Sequence, residues 1–137
     1  MPTEHLAQLP SPPQGKTGWP WQEESEKKNT GSDWPCPKIT VVTPSFNQGE
    51  YLEATIRSVL LQNYPNLEYF VMDGGSSDQS LALIEKYAPW IDHWESQPDR
   101  GQTHAINKGF GRATGQYLTW LNSDDLLAKN ALWEVAH

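Results

Sequence analysis

The chain carries a single cysteine, Cys36, in 137 residues, which excludes an internal disulfide framework and a cysteine-based zinc site. Basic residues are scarce: 10 Lys and Arg stand against 17 Asp and Glu, for a formal charge of −7. Lys27-Lys28 is the longest basic run, so no electrostatic footprint for a nucleic-acid backbone is visible, and no nucleic-acid partner is expected. No apolar run approaches the ~18 residues that span a bilayer. Met1-Pro2-Thr3-Glu4-His5 lacks the basic-then-apolar order of a signal peptide. A soluble, cytoplasmic chain is expected, free or at the inner face of the membrane. A P-loop is excluded because no Gly-Lys-Ser/Thr element occurs. The histidines His5, His93, His104 and His137 are scattered without ligand spacing. The length suits one domain with a core and does not suit two.

Proline, by contrast, is concentrated. Residues 1–37 hold seven of the eleven prolines, and Trp19, Trp21 and Trp34 lie among prolines and charges. This composition predicts a disordered N-terminal extension; the other reading is an arm that docks its tryptophans on a partner or on a remainder of the protein outside these 137 residues. From Lys38 the pattern changes. Ile39-Thr40-Val41-Val42 reads as a buried strand stopped by Pro44. Asn47 with Glu50 three residues on is a helix-start signature, followed by Leu52, Ile56, Val59 and Leu60 on one helical face. Leu67 to Met72 reads as a second strand, and Leu81, Ile84 and Ala88 line the next helix. Trp90 to Glu95 is a short third strand and Gly101 to Phe110 a helix broken by Gly109, Gly111 and Gly115. Gln116 to Leu121 is a further strand, with a helix from Leu126 whose apolar face is Leu127, Ala131, Leu132 and Val135. Strands separated by helices predict an α/β fold with a mostly parallel sheet.

Three loops follow strands on one sheet edge: Thr43-Pro44-Ser45-Phe46-Asn47, Asp73-Gly74-Gly75-Ser76-Ser77-Asp78 and Asn122-Ser123-Asp124-Asp125. Ligands of open α/β sheets bind at the carboxyl ends of the strands. Asp73 can accept the imide N–H of uracil or thymine, or the ring and amino N–H groups of guanine. Paired aspartates can hold Mg²⁺ or Mn²⁺, which in turn suits a diphosphate. Each piece alone is commonplace, a plain turn or a helix N-cap; their joint placement is more specific. Gly109-Phe110-Gly111-Arg112-Ala113-Thr114-Gly115 superficially matches a dinucleotide fingerprint, but it follows a helix and precedes a strand, the reverse of the required order.

Lys38 to Leu127 resembles the N-terminal half of bacterial family 2 glycosyltransferases, which have the Rossmann-like GT-A fold. The matching segments are Ile39 to Asn47, the Asp73 loop, Asp99-Arg100-Gly101-Gln102 with Ala105 to Gly109, and Leu121 to Asp125. The resemblance implies a partial GT-A domain over residues 38–137 that binds a nucleotide-diphosphate sugar, with a UDP-sugar first. Inverting, metal-dependent transfer to a glycan or lipid-linked acceptor is the implied activity. By the same resemblance Thr43, Pro44 and Ser45 line the base pocket, and Asp73 with Gly74 meets the base. Arg100 and Gly101 approach the nucleotide, while Asp124 and Asp125 serve a divalent cation, Mn²⁺ or Mg²⁺. Two departures stand out: Asn122 replaces the first acid of the metal motif, and the usual paired aspartates of the second loop are reduced to Asp73-Gly74. The general base of the family lies well past the metal motif, beyond His137, so this chain alone is expected to turn over little. The rival expectation is a nucleotide-binding or interaction module that never catalyses.

Overall fold

A computed structural model describes residues 6–26 and 34–136. The β-branched run that opens the domain forms β1 (Ile39–Ser45), and its side chains alternate between two buried faces. Ile39 and Val41 join one core while Val42 joins another. Strand β2 (Leu67–Asp73) pairs with β1 along its full length, from Ile39 opposite Leu67 to Ser45 opposite Asp73. Strands β3 (His93–Ser96) and β4 (Tyr117–Trp120) complete an all-parallel sheet of order β3-β2-β1-β4.

Pro44 does not stop β1. The Ser45 carbonyl accepts from Gly74 N–H on the β2 side, whereas the Val42 carbonyl accepts from Leu121 N–H on the β4 side. By alternation, the N–H that Pro44 lacks falls on the β4 side, and pairing with β4 ends at Val42. No ladder bond is lost, so proline is tolerated.

Helices α1 (Gly49–Leu60) and α2 (Ser80–Tyr87) cover one face, and α3 (Gln102–Arg112) covers the other. Asn47 does not cap α1 with its side chain. Asp78 does so from the next loop: its Oδ2 accepts Gly49 N–H at 2.9 Å and its Oδ1 accepts Ser80 N–H at 2.9 Å. One carboxylate thus serves the starts of two helices. On α2, Ile84 and Tyr87 are buried while Leu81 is exposed, and Ala88 belongs to a short 3₁₀ turn. The third strand starts three residues later than expected.

Gly109 and Gly111 lie inside α3 instead of ending it. A Cβ on Gly109 would come within 2.5 Å of a Val42 methyl, so glycine lets the helix sit close on the sheet. The chain from Leu126 is also not helical at once: α4 spans only Ala131–Ala136. Side chains of α1 and the segment after it hold the preceding backbone open. Ser58 Oγ accepts Leu127 N–H, and Thr55 Oγ1 and Gln62 Nε2 donate to the carbonyls of Asp125 and Ala128. Leu132 and Trp133 are buried, but Val135 is exposed.

Residues 6–26 correct the expectation of a disordered arm. Arg57, fully buried, donates to the carbonyls of Pro10, Pro20 and Trp21 at 2.8–2.9 Å, and its guanidinium lies over the Trp21 ring. Trp19 Nε1 donates to the Leu127 carbonyl, and Trp34 stacks on Trp133. A proline-rich segment cannot build its own ladder, yet its free carbonyls suit a buried guanidinium. Residues 1–5, 27–33 and 137 lie outside the described residues. Among the described residues no helix is long and apolar enough to cross a membrane.

Candidate functional site

Because all four strands run parallel, the loops after them share one edge. They enclose a cleft of about 450 Å³. Pro44 and Ser45 come from the end of β1, Phe46 and Gln48 from the loop after it, Gly74 from the loop after β2, and Asp99, Gly101, Gln102 and Ala105 from the loop and helix after β3. Asn122, Ser123 and Asp124 close it after β4. The loop after β3 is a fourth wall beside the three loops singled out in the sequence.

Of the expected site residues, Pro44, Ser45, Gly74, Gly101 and Asp124 line this cleft. Thr43, Asp73, Arg100 and Asp125 do not. Thr43 is fully buried, with its hydroxyl 2.8 Å from the Tyr69 hydroxyl. Asp73 is fully buried too. Its Oδ1 accepts the Ser76 hydroxyl at 2.6 Å, and its Oδ2 accepts Gly75 N–H, Ser76 N–H and the Ser96 hydroxyl at 3.1, 2.8 and 2.8 Å. That carboxylate builds the loop under the cleft. Arg100 is exposed, and its N–H donates to His104 Nδ1. Asp125 is exposed and bonds through its backbone, N–H to Asn122 and carbonyl to Thr55.

Two lining residues deserve chemical description. Ser45 is 4% exposed, and its hydroxyl has no hydrogen-bond partner among the described residues. Gln102 Nε2 donates to Asn122 Oδ1, tying the start of α3 to the loop after β4. Sequence reading missed Asp99, Gln102, Gln48 and Ser123 as lining residues. Asp99 had a signal, since it closely follows β3 as Asp124 follows β4 and stands in a matched segment, but an acid there reads as simply as a surface or capping residue.

The lining residues include two carboxylates, Asp99 and Asp124, and no Lys or Arg. A bare diphosphate would be repelled by such walls, whereas one carrying a divalent cation would not. Among the described residues no group of three or more His, Cys, Asp or Glu is arranged to hold a metal ion. Mg²⁺ commonly takes only one or two carboxylates and completes its shell with phosphate oxygens and water. The donor set therefore fits a cation shared with a phosphate ligand and not a self-contained metal centre.

A parallel sheet with its ligand cleft at the carboxyl ends of the strands defines a Rossmann-like α/β protein. The chain belongs to glycosyl transferase family 2, whose profile matches residues 40–136. It is 39% identical over 91 residues to an uncharacterized glycosyltransferase of Mycobacterium tuberculosis, covering 66% of this chain and 35% of that protein. Glycosyltransferase GlyG of Streptococcus pneumoniae is 32% identical over 99 residues, 69% of this chain and 32% of that one. Among solved structures, residues 1–349 of Staphylococcus aureus TarS match with a TM-score of 0.65 at 27% identity, over 72% of this chain and 31% of that one. The Pyrobaculum calidifontis mannosyltransferase PcManGT, in complex with GDP-Man and Mn²⁺, matches with a TM-score of 0.63 at 27% identity, over 69% and 29%. The fold is that of the GT-A glycosyltransferases. The chain spans about a third of the length of these relatives.

Proposed function

We propose that the cleft binds the nucleotide-diphosphate sugar of an inverting glycosyltransferase, with a UDP-sugar as the first candidate. The observation that carries this reading is the placement of Asp124 in one cleft with Pro44, Ser45 and Gly74, in a chain of this family. TarS has been crystallised with UDP, which supports the same class of ligand. Pro44, Ser45, Gly74 and Gly101 form the walls against the nucleotide. Thr43 and Asp73 act behind them, holding β1 on β2 and shaping the second loop. Arg100 is the exposed cation of the loop that ends at Gly101. Residues 38–137 are read as a partial GT-A domain.

A divalent cation, Mn²⁺ or Mg²⁺, would be held by Asp124, with Asp125 as the second acid of the loop. When bound, such an ion stabilises negative charge on a departing diphosphate. The reaction joins the acceptor hydroxyl oxygen to the anomeric carbon as the bond to the diphosphate oxygen breaks. The electron pair leaves on the diphosphate, and the hydroxyl proton passes to a general base. The acceptor is a glycan or a lipid-linked sugar. Of the three acids that could substitute, Asp78 is occupied by the helix starts, Glu95 by Lys108 at 2.5 Å, and Asp99 caps the Gly101 N–H at 2.9 Å, so none is read as that base. We place the base outside this chain and expect donor binding without sustained transfer.

Calorimetric titration of UDP with Mn²⁺ into the folded chain tests the reading. Metal-dependent binding is expected, weakened at least about tenfold by Asp124→Ala, the loss of one charge-assisted contact. A folded chain that binds none of UDP, GDP and TDP overturns it. A nucleotide-binding module that never catalyses is the second reading, favoured by Asn122 in place of the motif's first acid. It is distinguished by UDP binding that ignores both Mn²⁺ and Asp124→Ala.

A further inference from the structure

We infer that Asp99 is the residue that reads the nucleobase, occupying in space the position that a side chain at residue 74 would fill. This rests on the preceding reading of the cleft as a nucleotide-sugar site. Asp73, the acid that sequence alone assigns to the base, is fully buried, and its four accepted hydrogen bonds all come from its own loop and β3. Oδ2 accepts three of those bonds and Oδ1 one, and because the side chain is fully buried the remaining lone pair of Oδ1 does not face the cleft. Its neighbour, where the family pattern has a second aspartate, is Gly74. A Cβ built there would lie 3.0 Å from Asp99 Oδ1, 3.1 Å from Oδ2 and 3.2 Å from Cγ. The Asp99 carboxylate thus stands over the glycine, on the cleft wall. Only Oδ1 is engaged, by Gly101 N–H at 2.9 Å; Oδ2 accepts no hydrogen bond from the described residues.

The sheet order sets which part of a ligand Asp99 can meet. Asp99 and Gly74 follow β3 and β2, whereas Asp124 follows β4, on the other side of β1. Neighbouring strands lie ~4.8 Å apart, so the ends of β2 and β4 are separated by roughly 10 Å. That is the scale of a nucleoside joined to a diphosphate. With the cation and diphosphate at Asp124, the base end falls at Gly74 and Asp99. Ser45, at the end of β1 between them, contributes a buried hydroxyl without a partner among the described residues, which marks a place for a polar ligand atom. An ionised carboxylate only accepts hydrogen bonds. It therefore selects bases with a ring N–H on their pairing edge, uracil, thymine or guanine, and rejects cytosine and adenine, whose ring nitrogen there is an acceptor.

The test is titration of UDP and CDP, each with Mn²⁺, into the 137-residue chain and two variants. Asp99→Asn keeps an oxygen for Gly101 N–H but presents an amide donor. It is expected to weaken UDP about 10- to 100-fold, the loss of a charge-assisted hydrogen bond, and to abolish the preference for UDP over CDP. Inorganic pyrophosphate with Mn²⁺ should bind wild type and Asp99→Asn within about threefold, since its contacts lie at the other end. The double variant Gly74→Asp/Asp99→Gly returns a carboxylate to the same space from the other loop and should recover the UDP preference, which a merely structural role for Asp99 would not produce. Unchanged UDP affinity and UDP/CDP ratio in a folded Asp99→Asn chain overturn the inference, as does equal loss of UDP and pyrophosphate. Failure of wild type to bind UDP, GDP or TDP is a different result: it removes the donor-site reading itself and the role of Asp99 with it.

Discussion

The two faces of the sheet are covered unequally. On the face under α1 and α2, large side chains such as Ile56, Tyr69, Tyr87 and Trp133 are fully buried, and the N-terminal arm adds Leu9 to that core. On the other face a small cluster, Val42, Phe70, Met72 and Ala105, lies under α3 alone. Leu118 and Trp120 of β4, opposite Thr40 and Val42, are 47% and 46% exposed. Helix α1 links parallel strands and so runs back from the cleft edge. Arg57, near its carboxyl end, anchors the arm at the far edge. The thick face and the arm hold the fold, while the thin face supplies Ala105 and the start of α3 to the cleft. Stability and the proposed ligand site thus draw on different side chains.

Arg57→Ala should break that comparison most severely. Three arm carbonyls lose a charged donor, as does the Tyr87 hydroxyl 3.2 Å away. A loss of about 3 kcal/mol or more is expected in urea unfolding, at ~1.5–3 kcal/mol per hydrogen bond to a charged group. Limited proteolysis should then cut within residues 6–26 first. An unchanged urea midpoint would mean that the arm adds nothing to the thick face.

Gly109→Ala probes the thin face. Its Cβ would meet the Val42 methyls at 2.5 and 2.7 Å, and overpacking of this kind costs about 1–3 kcal/mol. Gly111→Ala, two residues on, faces open space and should be neutral or stabilising by up to about 1 kcal/mol from helix propensity. Equal effects of the two substitutions would show that α3 does not press on β1 as described.

The smallest effect belongs to Asp78, which serves α1 and α2 together. Burial pushes its carboxyl up, but hydrogen bonds from Ser80 and Gly49 outweigh this and hold it below its ordinary value of 3.8. The folded state favours the ionised form. Its contribution is therefore complete above pH ~4 and fades as pH falls through the lowered folded value. Asp78→Ala should cost at most about 1 kcal/mol near neutrality, the usual scale of a lost cap, and the difference from wild type should vanish in acid. A difference that persists at low pH would show that the charge is not what caps these helices.

Legibility followed the range of the interactions. β1, β2 and the body of α1 were readable because β-branched runs and helical spacing report burial locally. β3, with four half-buried residues, and β4, exposed throughout, gave weaker patterns. The arm was misread because composition reports what a segment can do alone, and Arg57 lies some forty residues from the carbonyls it binds. The helix expected at Leu126 failed for the same reason, with α1 side chains capturing its backbone. Within the site, the placement of Ser45, Gly74 and Asp124 on one edge followed from strand order.

By itself the sequence determined the parallel α/β class, the strand-end location of the candidate cleft and the family, because each is written in contiguous runs and ordered motifs. The tertiary structure alone decided which acids face the cleft. Burial and loop hydrogen bonds consume Asp73, and the missing side chain at Gly74 opens the space that Asp99, from a different loop, fills.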